Sequence, residues 1–116
     1  MQYISINLLR KSFFSDGYAV TPLHTLIIPK RHVANYFELG QSEINACNQL
    51  MAELKQQIEL EDSAVTGFNI GMNNGESAGQ TIFHYHIHLI PRRDGDVENP
   101  RGGVRNTILG KGDYTK

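Results

Sequence analysis

Apolar residues and histidines alternate strictly along FHYHIHL, residues 83–89. Successive side chains of a β-strand point to opposite faces, so this alternation predicts a strand over 81–91 with two unlike faces. One face presents three histidines in a row, at His84, His86 and His88. The other face is the predicted core face, with Phe83, Tyr85, Ile87 and Leu89. A fold built around this strand must bury one side of its sheet and leave the other accessible.

The rest of the chain predicts one helix among strands. From Ser42 to about Leu60 apolar residues recur every three or four positions, which is the spacing of a helix with one buried stripe. Short apolar runs at 24–29 and 64–72 predict strands, and SFFSDGYAV predicts another that breaks at Asp16-Gly17. The 64–72 and 81–91 strands are expected to pair antiparallel. We expect one α+β domain over residues 1–116, with a mostly antiparallel sheet, one long helix, a short N-terminal region and an irregular C-terminal tail.

Composition argues against several classes of function. The chain has 116 residues, a formal net charge of −1 and a single cysteine, Cys47. A near-neutral chain lacks the positive surface that nucleic-acid binding requires, and one cysteine forms neither an intrachain disulfide nor a Cys-only metal site. No apolar run is long enough to span a bilayer, and the start of the chain lacks the pattern of a secretory signal. We expect a cytoplasmic protein with no nucleic-acid or membrane partner.

Zinc binding is one interpretation of the three histidines, since histidine is a common zinc ligand. Alternate residues lie about 6.6 Å apart along a strand, which separates the Cα atoms of His84 and His88 by about 13 Å. A histidine reaches a metal only about 6.5 Å from its Cα, so these two could meet one ion only from opposite sides. That geometry is not tetrahedral. A neighbouring pair would need further ligands, and no cysteine pair or nearby carboxylate supplies them within the triplet.

Nucleophilic catalysis at phosphorus is the second interpretation. A neutral imidazole is a good nucleophile near neutral pH, because its reference pKa is about 6.5. Its second nitrogen must donate to an acceptor, which fixes the lone pair on the attacking nitrogen. Flanking imidazoles can donate to phosphoryl oxygens, where negative charge develops. Three histidines in a row supply one attacking group and two supporting groups.

Three blocks of the sequence resemble the histidine triad family of nucleotide hydrolases and transferases. HYHIHLI is similar to the family's signature of three histidines separated by apolar residues, and it is preceded by NNGESAGQT. Further upstream, DGYAVTPLHTLIIPKRHV resembles the family stretch that ends in Pro-Lys-Arg-His. The resemblance covers residues 7–93 and is closest to the bacterial branch similar to diadenosine polyphosphate hydrolases. It implies a histidine triad fold, a homodimer, a nucleotide substrate, no obligatory cofactor and no metal ligand; a divalent cation would accompany only a polyphosphate substrate.

The resemblance also implies a role for individual residues. His86 would attack the α-phosphorus and form a covalent nucleotidyl-histidine, which water then releases. His88 would contact the phosphoryl oxygens, His84 would orient the nucleophile in part through its backbone carbonyl, and His24 would hydrogen-bond within the cluster. The substrate-binding residues implied are Asn73, Gln80 and Thr81 for the phosphate and leaving group, Asp16 for the ribose, and Phe14 for the nucleobase. Loop hydrogen bonding is an equal alternative for Asn73 and Thr81, as core packing is for Phe14.

Several positions depart from the family pattern. The paired cysteines that bind a structural zinc in some members are missing, so His32 is expected to be a structural or surface histidine. Ala19 and Leu23 replace the usual proline and glycine before His24, which puts the substrate in question but not the chemistry. Arg101 and Arg105 of the tail are weak candidates for contacts with distal phosphates. The alternatives to a hydrolase are a nucleotidyl transferase or phosphorylase, a nucleotide-binding interaction protein with little turnover, and a metal-binding sensor.

Overall fold

The computed structural model describes residues 2–6, 11–13 and 19–115, with backbone alone for the first two ranges. Five strands form one sheet in the order β2-β1-β3-β5-β4. β1 and β3 are parallel, and every other neighbouring pair is antiparallel. The strands are β1 Gln2–Ile6, β2 Lys11–Phe13, β3 Thr25–Pro29, β4 Val65–Gly71 and β5 Ile87–Arg93. The predicted α+β class and the antiparallel pairing of the last two strands are confirmed.

The one α-helix of the described residues, α1, runs from Gln41 to Glu61 and packs on one face of this sheet. Its stripe of apolar residues matches the predicted spacing, with Cys47, Leu54 and Ile58 buried. These side chains form the core together with Ile87 and Leu89 of β5. At the start of the helix, the carboxylate of Glu43 accepts a hydrogen bond from the N–H of Gly40 at 2.9 Å. The helix therefore covers the apolar face of β5 and leaves the histidine face open.

Strand β5 begins later than the alternation predicts. It starts at Ile87 instead of Thr81 and extends past Pro91 to Arg93, while Phe83, predicted in the core, is 50 % exposed. Pairing with β3 ends at the pair formed by Ile27 and Ile87. Pro29 follows two residues later, and it has no backbone N–H that could donate a hydrogen bond to extend the pairing. The carbonyl of Pro29 accepts instead from the imidazole of His84 at 2.8 Å. The segment 81–86 is thereby released from the sheet.

The turn before β3 places Leu23 in the left-handed region, with φ of 69°. Left-handed backbone costs a residue with a Cβ atom roughly 1–2 kcal/mol, so glycine is favoured there. Thr25 Oγ1 donates to the carbonyl of Leu23 at 2.9 Å, and His24 N–H donates to the carbonyl of Thr21 at 3.2 Å. The Leu23 side chain packs partly against the core. This packing compensates for the strained backbone.

After Arg93 the chain turns back along the histidine face of the sheet. It contains one 3₁₀ helix, Gly103–Thr107, and otherwise turns and bends. Gly102 has φ of 89°, and a Cβ atom there would collide with the carbonyl of Gly112. The guanidinium of Arg105 donates to the carbonyls of Lys111 and Gly112 and lies over the ring of Tyr114. The tail is irregular, as predicted, but it is held by specific contacts. No helix in the described part of the chain is long and apolar enough to cross a membrane.

Replacing Leu23 with glycine should change the free energy of unfolding by less than about 1 kcal/mol, because relief of the left-handed strain offsets the lost packing. Leu54→Ala, at a fully buried site without strain, should lower it by about 2–5 kcal/mol. Urea denaturation of both variants measures the difference. Equal losses at the two positions would show that Leu23 carries no backbone strain.

Candidate active site

The open face of the sheet carries a groove of about 1260 Å³. His84 and His86, from the released segment, and His88 of β5 lie along it, together with His24 from the turn before β3. Leu26 and Ile28 of β3 border the histidines on one side, and Asn69 and Gly71 of β4 border them on the other. Residues 103–107 of the tail form a further wall. The four histidines named by the sequence therefore share one concave surface.

The imidazole of His86 is held in a defined tautomer. Its Nδ1 lies 2.9 Å from the carbonyl oxygen of His84. A carbonyl can only accept, so Nδ1 carries the proton, and in the neutral ring the lone pair is on Nε2. The half-buried ring lines the groove. In that tautomer, the Nε2 lone pair is directed away from the carbonyl and is available to a group in the groove.

A chain of hydrogen bonds fixes the tautomer of His88. The N–H of Val20 donates to His24 Nδ1 at 3.2 Å, which leaves the proton of a neutral His24 on Nε2. This Nε2 lies 2.9 Å from His88 Nδ1, which must then accept. The proton of His88 is therefore on its own Nε2. His88 can donate to an anionic oxygen beside His86, whose ring centroid is 5.2 Å away.

Burial, and to a smaller extent the neighbouring His24 and His86, lower the pKa of His88 from its ordinary value of 6.5 to about 4. His24 itself is only 2 % exposed. A second positive charge among three neighbouring imidazoles is unfavourable, because like charges repel. At neutral pH His88 is therefore an uncharged hydrogen-bond donor.

The backbone carbonyl of His84 acts on His86 directly, whereas its imidazole ring is bound elsewhere. Its Nε2 donates to the carbonyl of Pro29, and its ring packs against exposed His32 at a centroid distance of 4.7 Å. The carbonyl of His84 accepts from His86, as the resemblance implied. Among the described residues, no three histidine, cysteine or acidic side chains converge as a metal site would require.

The sequence also matches a known family along most of its length. A family model, the HIT domain, covers residues 10–95. The chain belongs to the histidine triad family. An uncharacterized HIT-like protein of Methanocaldococcus jannaschii is 39 % identical over 87 residues, which are 74 % of this chain and 66 % of that protein. Another relative, named bis(5'-nucleosyl)-tetraphosphatase (asymmetrical), from Schizosaccharomyces pombe, is 39 % identical over 77 residues, which are 66 % of this chain and 42 % of that protein.

Solved structures agree with this family. The crystal structure of a HIT family protein from Bacillus anthracis is similar with a TM-score of 0.63 and 42 % identity, over 67 % of this chain and 55 % of that one. The matched part of our histidine triad chain spans 42 % to 66 % of the length of these three proteins. Family membership therefore establishes the fold, while the activity of the longer relatives belongs to those proteins.

The other predicted site residues of this histidine triad protein fall into three groups. Asn73 and Thr81 are exposed and line the groove. Phe14 and Asp16 lie outside the described residues. Gln80 is 4 % exposed and does not line the groove, in contrast to its predicted role in phosphate binding.

The amide of Gln80 is committed to the backbone. Its Oε1 accepts from the N–H of Gly75 at 2.8 Å, and its Nε2 donates to the carbonyls of Ala34 and Ile82 at 2.5 and 3.2 Å. These bonds connect the loop after β4, the segment before α1 and the start of the released segment. In this structure Gln80 positions the loops that present the histidines.

Sequence reasoning missed the contribution of β4 and the tail to the groove. Asn69, Asn106 and Thr107 line it, whereas Arg101 and Arg105 do not. Arg101 donates to Thr115 and Arg105 to tail carbonyls, so the structure directs neither guanidinium to the groove. The only sequence signal for Asn69 was a polar residue within a predicted strand, and its face depended on an unknown register.

Proton NMR of the imidazoles should find His88 neutral, with its proton on Nε2, down to about pH 4. In His24→Gln the pKa of His88 should remain well below 6.5, because burial is the larger cause of its shift. An unfolded histidine titrates near 6.5, so the free energy of unfolding should fall as the pH is lowered from about 6.5 to about 4. His88→Gln should remove this part of the pH dependence. A His88 that titrates near 6.5 would contradict the assignment.

Proposed function

We propose that this protein hydrolyses a nucleoside phosphate at its α-phosphorus through a covalent nucleotidyl-histidine on His86. The observation that carries the proposal is the hydrogen bond from His86 Nδ1 to the His84 carbonyl, which leaves the Nε2 lone pair for attack. The reaction has two steps. His86 Nε2 forms a bond to phosphorus while the bond to the leaving group breaks, and water then cleaves the phosphorus–nitrogen bond and restores the neutral imidazole.

The neighbouring groups fit the charge that develops in these steps. The Nε2–H of His88 is a fixed donor for a phosphoryl oxygen, and it needs no positive charge of its own. Asn73 and Thr81 at the groove can donate to the same phosphate without titrating. His24 maintains the tautomer of His88. Phe14 and Asp16 remain the proposed contacts of the base and ribose.

The groove and a relative support a proposal for the substrate class. The S. pombe relative is named as a tetraphosphatase of dinucleosides. The apolar side chains of Leu26 and Ile28 provide a surface for a nucleobase. We therefore propose a dinucleoside polyphosphate or a related nucleotide as substrate of a cytoplasmic enzyme. No cofactor is required, and a divalent cation takes part only as a counterion of the polyphosphate.

His86→Ala should reduce turnover by about 10⁴-fold or more on every substrate that the wild type cleaves, because the nucleophile is removed. The panel comprises a dinucleoside tetraphosphate, a nucleoside phosphoramidate and a nucleotide sugar, with products measured by chromatography. The matched control is His32→Ala, which removes an exposed histidine outside the proposed machinery and should retain most activity.

Mass spectrometry of wild type quenched at alkaline pH during turnover should detect the nucleotidyl adduct on His86. An adduct on His88, or undiminished turnover by His86→Ala, would overturn the mechanism. A wild type that cleaves no member of the panel would overturn the proposed activity itself.

We also propose that the protein is a homodimer that pairs through β4. This strand ends the described sheet, and β5 is its only strand partner within the described residues. Ile70, one residue before the end of β4, is 46 % exposed. An unpaired edge with an exposed apolar side chain favours pairing with a second copy.

Light scattering should therefore give twice the chain mass of 13.0 kDa. Ile70→Lys should shift the protein to the monomer, because an added charge at the edge opposes pairing. Val97→Lys, which charges a comparably exposed residue of the tail, should remain dimeric. A monomeric wild type would contradict the proposal.

A further inference from the structure

Asn69 lies beside the histidines on the groove face of β4. It is opposite Ile90 of β5, and Gly71, two residues further along the same face, is opposite His88. Gly71 contributes no side chain, and a Cβ atom there would meet nothing within 4 Å. Space next to His88 is therefore open. The half-buried Asn69 lies at one border of this space.

The orientation of the Asn69 amide is fixed by Arg92. Nη1 of Arg92 lies 2.7 Å from Oδ1 of Asn69. A guanidinium donates and never accepts, so the amide oxygen must face Arg92 and the NH₂ group must face the other way. Within residues 19–115 no group accepts a hydrogen bond from Nδ2, which has the tail residue Gly103 as a neighbour. Two N–H donors are thus held at the edge of the groove.

Asp96 in turn holds Arg92. Its carboxylate accepts from Nε and Nη2 of Arg92 at 2.8 and 2.7 Å, which is a bidentate pair. It also accepts from the N–H of Arg93 at 3.1 Å. The pair is partly buried, and the Arg92 guanidinium holds the pKa of the Asp96 carboxyl well below its usual range. Arg92 is therefore an anchored support for the amide and cannot itself swing into the groove without breaking three bonds.

The two sides of the groove differ in chemistry. Leu26 and Ile28 on the β3 side are apolar, whereas the β4 and tail side presents neutral polar groups beside the apolar Met72 and Val104. The polar groups are Asn69, Asn73, Thr107 and Asn106, of which Asn106 already donates to tail carbonyls. Neutral donors suit phosphate oxygens, because they stabilise negative charge without a competing charge of their own. With the base on the apolar side and the α-phosphorus at His86, the leaving group falls on the amide side.

We propose that Asn69 is a substrate-binding residue that donates through Nδ2 to oxygens of the leaving group, with Arg92 and Asp96 as its positioning residues. The assignment rests on the proposed nucleotidyl transfer to His86. It predicts that Asn69 matters for substrates whose leaving group carries phosphate oxygens. Asn69 should have little effect on the cleavage of a substrate whose leaving group carries no phosphate oxygens.

The test compares two substrates with the same nucleoside and α-phosphate. One is a dinucleoside tetraphosphate, and the other is a nucleoside phosphoramidate with a small amine leaving group. Asn69→Asp should lower kcat/KM for the tetraphosphate by about tenfold to a hundredfold, which is the range for a hydrogen bond to a charged group. The kcat/KM for the phosphoramidate should change little. The new carboxylate still accepts from Arg92, so the fold is kept while a donor is replaced by a repelling charge. Asn48→Asp, on the exposed face of α1, is the matched control and should behave as wild type with both substrates.

The positioning role is tested by coupling. Arg92→Lys cannot form the bidentate pair, so it should lower kcat/KM for the tetraphosphate and spare the phosphoramidate. In the background of Asn69→Ala the same change should have little further effect, because the group it orients is gone. Additive losses in the double variant, or equal losses on both substrates, would reduce Arg92 to a structural role and overturn the assignment.

Binding separates this inference from the proposed activity. Calorimetry with AMP and with ATP needs no turnover, and ATP carries phosphates where the leaving group would lie. Asn69→Asp should weaken the binding of ATP and leave the affinity for AMP unchanged. If the wild type binds and cleaves as proposed while Asn69→Asp affects both nucleotides equally or neither, the inference alone fails. If the wild type binds neither nucleotide, the proposed function and the inference both fail.

Discussion

The end of the β3–β5 ladder is the constraint on which the site depends. Pairing ends at Ile27 and Ile87, and Pro29 lacks the N–H that a longer ladder would use. The unused carbonyl of Pro29 accepts from the ring of His84, so a side chain replaces the missing strand partner. The backbone carbonyl of His84 is then outside any strand pairing and accepts from His86. If the strand continued, a ladder N–H would compete with the His86 ring for this carbonyl.

The second constraint is electrostatic, because adjacent imidazoles cannot all carry charge at low cost. His88 is kept neutral, and hydrogen bonds pass in one direction along the cluster, from Val20 to His24 and from His24 to His88. The low pKa of His88 is therefore compatible with its proposed task. In the proposed mechanism a neutral donor interacts with the phosphoryl oxygens without placing a positive charge beside His86. Such a charge would oppose the positive charge that builds up on the His86 ring as it attacks.

Local sequence patterns were enough to predict most of the fold. The helix was predictable because its stripe depends on spacing within one segment, and so was the common face of the three histidines. The start of β5 was not, since it depends on a proline some sixty positions away in the sequence. Gln80 was assigned to substrate because of its place before the triplet, but its partners are backbone groups of other loops. Asn69 was missed because its face is set by a register that contains an irregularity between Val65 and Gly67.

The division of the groove separates two requirements of the proposed reaction. The match to the family ends at residue 95, and it contains all of the histidines. The wall formed by residues 103–107 lies beyond that match and is held in place by the left-handed Gly102 packed against Gly112 and by the tethered Arg105. Asn69 lies where the two parts meet, with its oxygen bound by Arg92 and its neighbour in the tail at Gly103. In the proposed mechanism, attack at phosphorus and selection of the leaving group would therefore depend on different stretches of chain, and changes in the tail would alter the second without disturbing the hydrogen bonds that the first requires.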